Sequence, residues 1–159
     1  MTCICDALDS VAGSTWFSAL DLHSGYWQVL LSLSARPKTA FTIGRGLWEI
    51  NVMPFGLCNS PAMFEQLMEK VLQPVPASAC AVYLDDILVQ ASTYTAALAN
   101  LRTVFELVAK ANLHPNAAKS SLFRQENSFL GHVVSERGVS TDPTKVEAVE
   151  KWPSSTDGA

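Results

Sequence analysis

No zinc-like spacing links the four cysteines of this 159-residue chain, Cys3, Cys5, Cys58 and Cys80, which argues against a thiolate-bound structural metal. Cys80 sits in an apolar run and Cys58 near turn residues, so both are expected reduced, and a cytosolic or nuclear setting fits. No apolar run is long enough to span a bilayer, so no membrane partner is expected. The start, Met1 to Cys5, lacks the charged and apolar parts of a secretory signal. Positive charge is not in excess: 11 Lys and Arg face 15 Asp and Glu, for a net charge of −4. Bulk composition therefore does not mark a nucleic-acid binder. Internal repeats and low-complexity tracts are missing too. What is present is 48% hydrophobic residues, enough for a sizeable core in one domain, or in part of one.

The charge is uneven. Between Leu22 and Trp48 lie Arg36, Lys38 and Arg45 and no acid, a locally basic stretch. The most informative segment is the run from Cys80 to Val89, where Asp85 and Asp86 stand between two apolar runs. Both runs are β-branched and aromatic and too short for a buried helix, so they read as strands. The two acids then occupy a two-residue hairpin turn. Two carboxylates so close repel unless something positive stands between them. Mg²⁺ or Mn²⁺ suits carboxylate oxygens; a solvated Asp-Asp turn is the alternative.

Along the chain, residues 6–14 read as a short helix ending at Gly13. Residues 16–22 read as a strand with Trp16, Ser18, Leu20 and Leu22 on one face and Phe17, Ala19 and Asp21 on the other. Asp21 is either a cap-like acid at a strand end or a partner for Asp85. Residues 39–43 and 47–52 read as strands joined through Gly44-Arg45-Gly46. Ser60-Pro61 opens a helix with the stripe Phe64, Leu67, Met68, Val71 and Leu72, stopped by Pro74 and Pro76. A second helix spans roughly 95–112 with Leu98, Leu101, Phe105 and Val108 inward. Residues 119–123 and 129–134 read as short strands, the latter turning at Glu136-Arg137-Gly138. Asp142-Pro143 caps a last helix carrying Val146, Val149 and Trp152, and residues 154–159 carry no structural signal. This order gives an α+β fold with an antiparallel sheet.

Six stretches in order resemble the reverse transcriptase palm of gypsy-type LTR retroelements: FSALDLHSGYWQV (17–29), RPKTAF (36–41), MPFGLCNSPAMFEQLM (53–68), YLDDILV (83–89), FLGHVVSERGV (129–139) and DPTKVEAVEKWP (142–153). The resemblance implies a polymerase palm over 1–153, its Asp-Asp hairpin packed against two helices. It also implies partial fingers at 22–52, a primer-grip hairpin at 129–140, the start of a thumb helix at 142–153 and an unstructured tail at 154–159. The implied activity is RNA-directed DNA synthesis by two-metal nucleotidyl transfer to a primer 3′-hydroxyl, with ions about 3.5–4 Å apart. By resemblance, Asp21, Asp85 and Asp86 are the catalytic acids. These three, with the Leu22 carbonyl, hold two Mg²⁺ or Mn²⁺ ions. Tyr26 lies under the incoming sugar, Phe55-Gly56 pack near nucleotide and template base, and Lys119 is a proton donor to pyrophosphate. Leu130, Gly131 and His132 position the primer, and Arg36 and Lys38 lie near template or triphosphate. Each of Tyr26, Lys119, Arg36 and Lys38 also has an ordinary reading as a core or solvated surface residue.

The implied partners are an RNA or DNA template with its primer, a deoxynucleoside triphosphate, and the remaining fingers, thumb and RNase H regions of a parent polyprotein. A virus-like particle is the implied location for a parent element. Against the family pattern, a basic fingers segment before Asp6 is missing and the chain stops just inside the first thumb helix. Ser120 stands where Cys is usual and Gln90 where an aromatic or aliphatic residue is common, and neither departure is expected to be fatal, unlike the truncation. A truncated, inactive element-derived fragment or interaction module is therefore the alternative expectation, with weak or no polymerisation by the chain alone. No residue pattern supports ribonuclease H hydrolysis.

Overall fold

The computed structural model describes residues 13–141. The expected last helix, the tail and nearly all of the expected first helix lie outside them. The central element is strand β1 (Trp16–Asp21), which pairs antiparallel with β5 (Asp86–Ala91) over its whole length. Strand β4 (Cys80–Tyr83) flanks β5, and β6 (Ser121–Arg124) flanks β1, giving a four-stranded sheet in the order β4-β5-β1-β6. A two-stranded ribbon of β2 (Phe41–Thr42) and β3 (Leu47–Trp48), and a meander of β7 (Glu126–Phe129), β8 (His132–Ser135) and β9 (Gly138–Thr141), form separate sheets.

Alternation along β1 and β5 builds three layers. Leu20, Leu22, Ile87 and Val89 face helix α1 (Ser60–Leu72) and helix α2 (Tyr94–Lys110), where Phe64, Met68, Leu72, Leu101, Val104 and Val108 complete the main core. On the opposite face Phe17, Ala81 and Leu88 pack with Phe129 and Val134 of the meander. Phe17, Ile87 and Leu88 are wholly buried, which is why the strands read as continuous apolar runs around their acids. Thr93 caps α2 by accepting a hydrogen bond from the Ala96 N–H (3.3 Å).

Several local expectations are corrected. The hairpin turn falls at Leu84-Asp85, because Asp86 is already paired with Tyr83 on one side and Asp21 on the other. Leu84 takes a left-handed φ of 51°, costly for a branched residue and invisible to hydrophobicity. The expected strand at 129–134 is broken at Leu130-Gly131, both at positive φ, with Phe129 facing His132 as in a two-residue type I′ turn. The fingers-like strands shrink to two residues each, and Arg36–Thr39 forms a 3₁₀ turn. Leu98 is 51% exposed, because Ala97 takes the inward position of the stripe Ala97, Leu101, Val104, Val108. Buried Gln90 fits its strand by donating from Nε2 to the Ser78 carbonyl (3.4 Å). Cys58 and Cys80 are free thiols, and burial pushes Cys80 up to about 12. No described helix is long and apolar enough to cross a membrane.

Candidate active site

Antiparallel register sets the geometry. Asp21 stands directly opposite Asp86, and directly opposed residues project from the same face with Cβ atoms about 4.5–5.5 Å apart. That face also carries Ala19 and Leu88. Asp85 sits in the turn beside them, its carbonyl accepting the Leu22 N–H (3.0 Å). Asp21, Asp86 and Lys119 share a cleft of about 350 Å³ with Asn127, Phe129 and Leu130.

The electrostatics follow from this crowding. Burial, then Asp21 and Asp86, raise Asp85 to about 6, while Lys119 pulls the other way. Asp86 is raised by burial and by Asp21, again opposed by Lys119. The Lys119 Nζ lies 3.7 Å from Asp21 Oδ2. Asp85 Oδ1 is buried and has no hydrogen-bond partner among the described residues. It points at Gly25, where any Cβ would overlap it and would also come within 2.7 Å of Phe64 Cζ. Among the described residues, no three His, Cys, Asp or Glu side chains form a ready-aimed metal cage. The donor set nonetheless fits hard divalent cations. It offers three mutually repelling carboxylates, with one buried oxygen unsatisfied among the described residues.

A second group of residues abuts the acids. Tyr26, in the 3₁₀ turn Gly25–Gln28, is buried. Its ring lies 5.1 Å from Phe55 and 5.2 Å from Phe64. Burial first, then the charge of Asp85 and then Tyr83, raises the Tyr26 hydroxyl, so Tyr26 and Asp85 share one environment. Phe55 is exposed and Gly56 follows at a left-handed φ of 90°.

The remaining expected site residues are spread more widely. Leu130 reaches the cleft, while Gly131 completes the turn and His132 opens β8 opposite Thr141. Arg36 and Lys38 lie on the 3₁₀ turn Arg36–Thr39, where Arg36 Nε donates to the Leu31 carbonyl (3.3 Å), and neither lines the cleft. Sequence reasoning missed Gly25 as a site residue, although its place beside Tyr26 in HSGYW was the available signal. It also treated Ser120 as a neutral departure. Ser120 Oγ accepts from the Asp21 N–H (3.4 Å) and donates to the Asn116 carbonyl (2.7 Å).

The family pattern "Reverse transcriptase (RNA-dependent DNA polymerase)" matches residues 2–134. The chain is 38% identical over 149 residues to the retrovirus-related Pol polyprotein from transposon opus of Drosophila melanogaster, covering 94% of this chain and 15% of the polyprotein. It is 32% identical over 146 residues to that from transposon gypsy of the same organism, covering 92% and 14%. Its fold matches the foamy viral protease-reverse transcriptase in complex with RNA/DNA hybrid, with a TM-score of 0.87 and 26% identity over 96% of this chain and 21% of that one. The chain thus spans under a quarter of each of these proteins. Its α+β fold is a polymerase palm, and the chain belongs to the reverse transcriptase (RNA-dependent DNA polymerase) family, with homologues among the gypsy-type transposon polyproteins.

Proposed function

We propose that this chain supplies the catalytic palm for RNA-templated addition of deoxynucleotides to a primer 3′-hydroxyl. The observation that carries the reading is the register placing Asp21 opposite Asp86, with Asp85 in the adjoining turn. Asp21, Asp85, Asp86 and the Leu22 carbonyl would hold two Mg²⁺ or Mn²⁺ ions. Bound there, such ions neutralise charge at the reacting phosphate and favour both the attacking and the leaving oxygen.

The protein's own groups do the rest by positioning. Tyr26, packed between Phe55 and Phe64, forms a floor for the sugar that collides with a 2′-hydroxyl. Phe55 and Gly56 border the base. Lys119 Nζ, beside Asp21, holds a proton for the departing pyrophosphate. Leu130, Gly131 and His132 guide the primer backbone from the cleft rim, and Arg36 and Lys38 meet template or triphosphate. The segments at 22–52 and 129–140 serve as partial fingers and primer grip, and the parent polyprotein supplies the remaining fingers, thumb and RNase H regions.

Extension of a labelled primer on an RNA template tests this. With Mg²⁺ or Mn²⁺, Asp86→Asn should extend about 10²–10³-fold more slowly than wild type, the usual size of losing one charge-stabilising group. A second reading, a catalytically silent module, is favoured by one observation: no three side chains are ready-aimed at a common cation among the described residues. Wild-type extension no faster than Asp86→Asn would support that second reading.

A further inference from the structure

Gln28 closes the 3₁₀ turn that carries Gly25 and Tyr26, and none of the roles proposed above uses it. Its side chain reaches a segment 86 residues away in sequence. Leu22 and Pro115 form an antiparallel bridge, so the next pair along that ladder is His23 and His114. Their first hydrogen bond is direct: the His23 N–H donates to the His114 carbonyl (3.1 Å). In a regular ladder the His114 N–H would answer to the His23 carbonyl. Here it donates to Gln28 Oε1 (2.7 Å), while Gln28 Nε2 donates to the His23 carbonyl (2.7 Å). Nε2 also reaches the His114 carbonyl (3.1 Å). A side-chain amide has the donor and acceptor pattern of a peptide group. Gln28 is thus spliced into the ladder where the two strands part.

Both sides of this splice lead to the site. Beyond His114, the Asn116 N–H donates to the Asp21 carbonyl (2.7 Å), and the turn begun by Asn116 presents Lys119 to Asp21. On the other side, the turn ending at Gln28 seats Gly25 against Asp85 and, next to it, Tyr26 on Phe64. The Asp21–Asp86 pair itself is held by the β1–β5 ladder and does not need Gln28. We infer that Gln28 is a positioning residue. By joining the Tyr26 turn to the Lys119 segment, it fixes the height of the Tyr26 ring relative to the acids and so governs nucleotide fit and sugar selection. This rests on the polymerase reading.

Three chains are compared: wild type, Gln28→Ala and Gln28→Glu. Amide hydrogen exchange at His114 reads the splice. Primer extension reads kcat, the KM for deoxynucleotide and the preference for deoxy- over ribonucleotide. Gln28→Ala should speed His114 exchange about tenfold, the worth of about one net hydrogen bond. It should raise KM and lower sugar preference by a similar factor; the acid pair is untouched, so any fall in kcat comes through the Lys119 segment and stays smaller than the rise in KM. Gln28→Glu keeps the acceptor for His114 but loses both donors, so it should protect His114 while still losing sugar preference. Unchanged KM and sugar preference in both variants would overturn the inference. So would a fall of kcat in step with the thermal midpoint, which marks a merely structural residue. If wild type itself fails to extend primers, the polymerase reading and the nucleotide role of Gln28 both fall. His114 exchange alone then decides whether the splice exists.

Discussion

A methyl group on Gly25 would overlap Asp85 Oδ1 and crowd Phe64 Cζ. Phe64 is wholly buried in the main core, so its ring cannot yield freely even where the Asp85 carboxylate can swing aside. Gly25→Ala should therefore cost about 1–3 kcal/mol, in the range of overpacked interiors. Urea unfolding measures this, and a change under about 0.5 kcal/mol would mean that the turn relaxes. Asp85 makes a pH prediction. Its folded value, raised to about 6, lies above the ordinary value near 4 of an unfolded chain. Between these values the folded state binds more protons, so stability contributed by this group is present below about pH 4 and is lost as pH rises towards 6. Without divalent metal, the thermal midpoint of wild type should fall over that window relative to Asp85→Asn. Parallel curves for the two proteins would contradict the raised value.

At the scale of elements, Leu88 is the side chain of β5 that ties the sheet to the meander, packing with Phe129 and Val134. Leu88→Ala should cost about 2–5 kcal/mol, whereas Leu98→Ala, on the open face of α2, should cost less than about 0.5 kcal/mol. Comparable losses would contradict the layer assignment. Much of this was legible in sequence. The alternation of β1 and the stripe of α1 depend on local period, and period survives without tertiary information. The acids were legible through the family resemblance, because local pattern alone left a solvated Asp-Asp turn and a cap-like Asp21 open. Turn placement was not. Leu84 and Leu130 look like strand residues, and only ladder pairing forces them to positive φ. Leu98 was misplaced because Ala97, small enough for close helix approach, carries little hydrophobic signal. Gln28 was illegible because its hydrogen bonds to His114 join positions 86 apart.

Across the whole molecule, the site is a convergence of distant segments. Asp21 ends the central strand β1, Asp85 and Asp86 lie at the β4–β5 hairpin, and Lys119 precedes β6. A second surface property follows from the same layout. The β2–β3 ribbon and the turn within it expose Phe41, Ile43, Leu47 and Trp48 to solvent. The ribbon has only two residues per strand, too few for independent stability. Rigidity therefore resides in the three-layered body that holds the acids. The most direct measurement is a Mn²⁺ titration at neutral pH of wild type and of Asp21→Asn, Asp85→Asn and Asp86→Asn, with unfolding curves for each. If the three acids act on shared cations, wild type should bind Mn²⁺ and each variant should bind at least about tenfold more weakly while staying folded. Equal affinity in wild type and all three variants would contradict the convergence on which the polymerase reading stands.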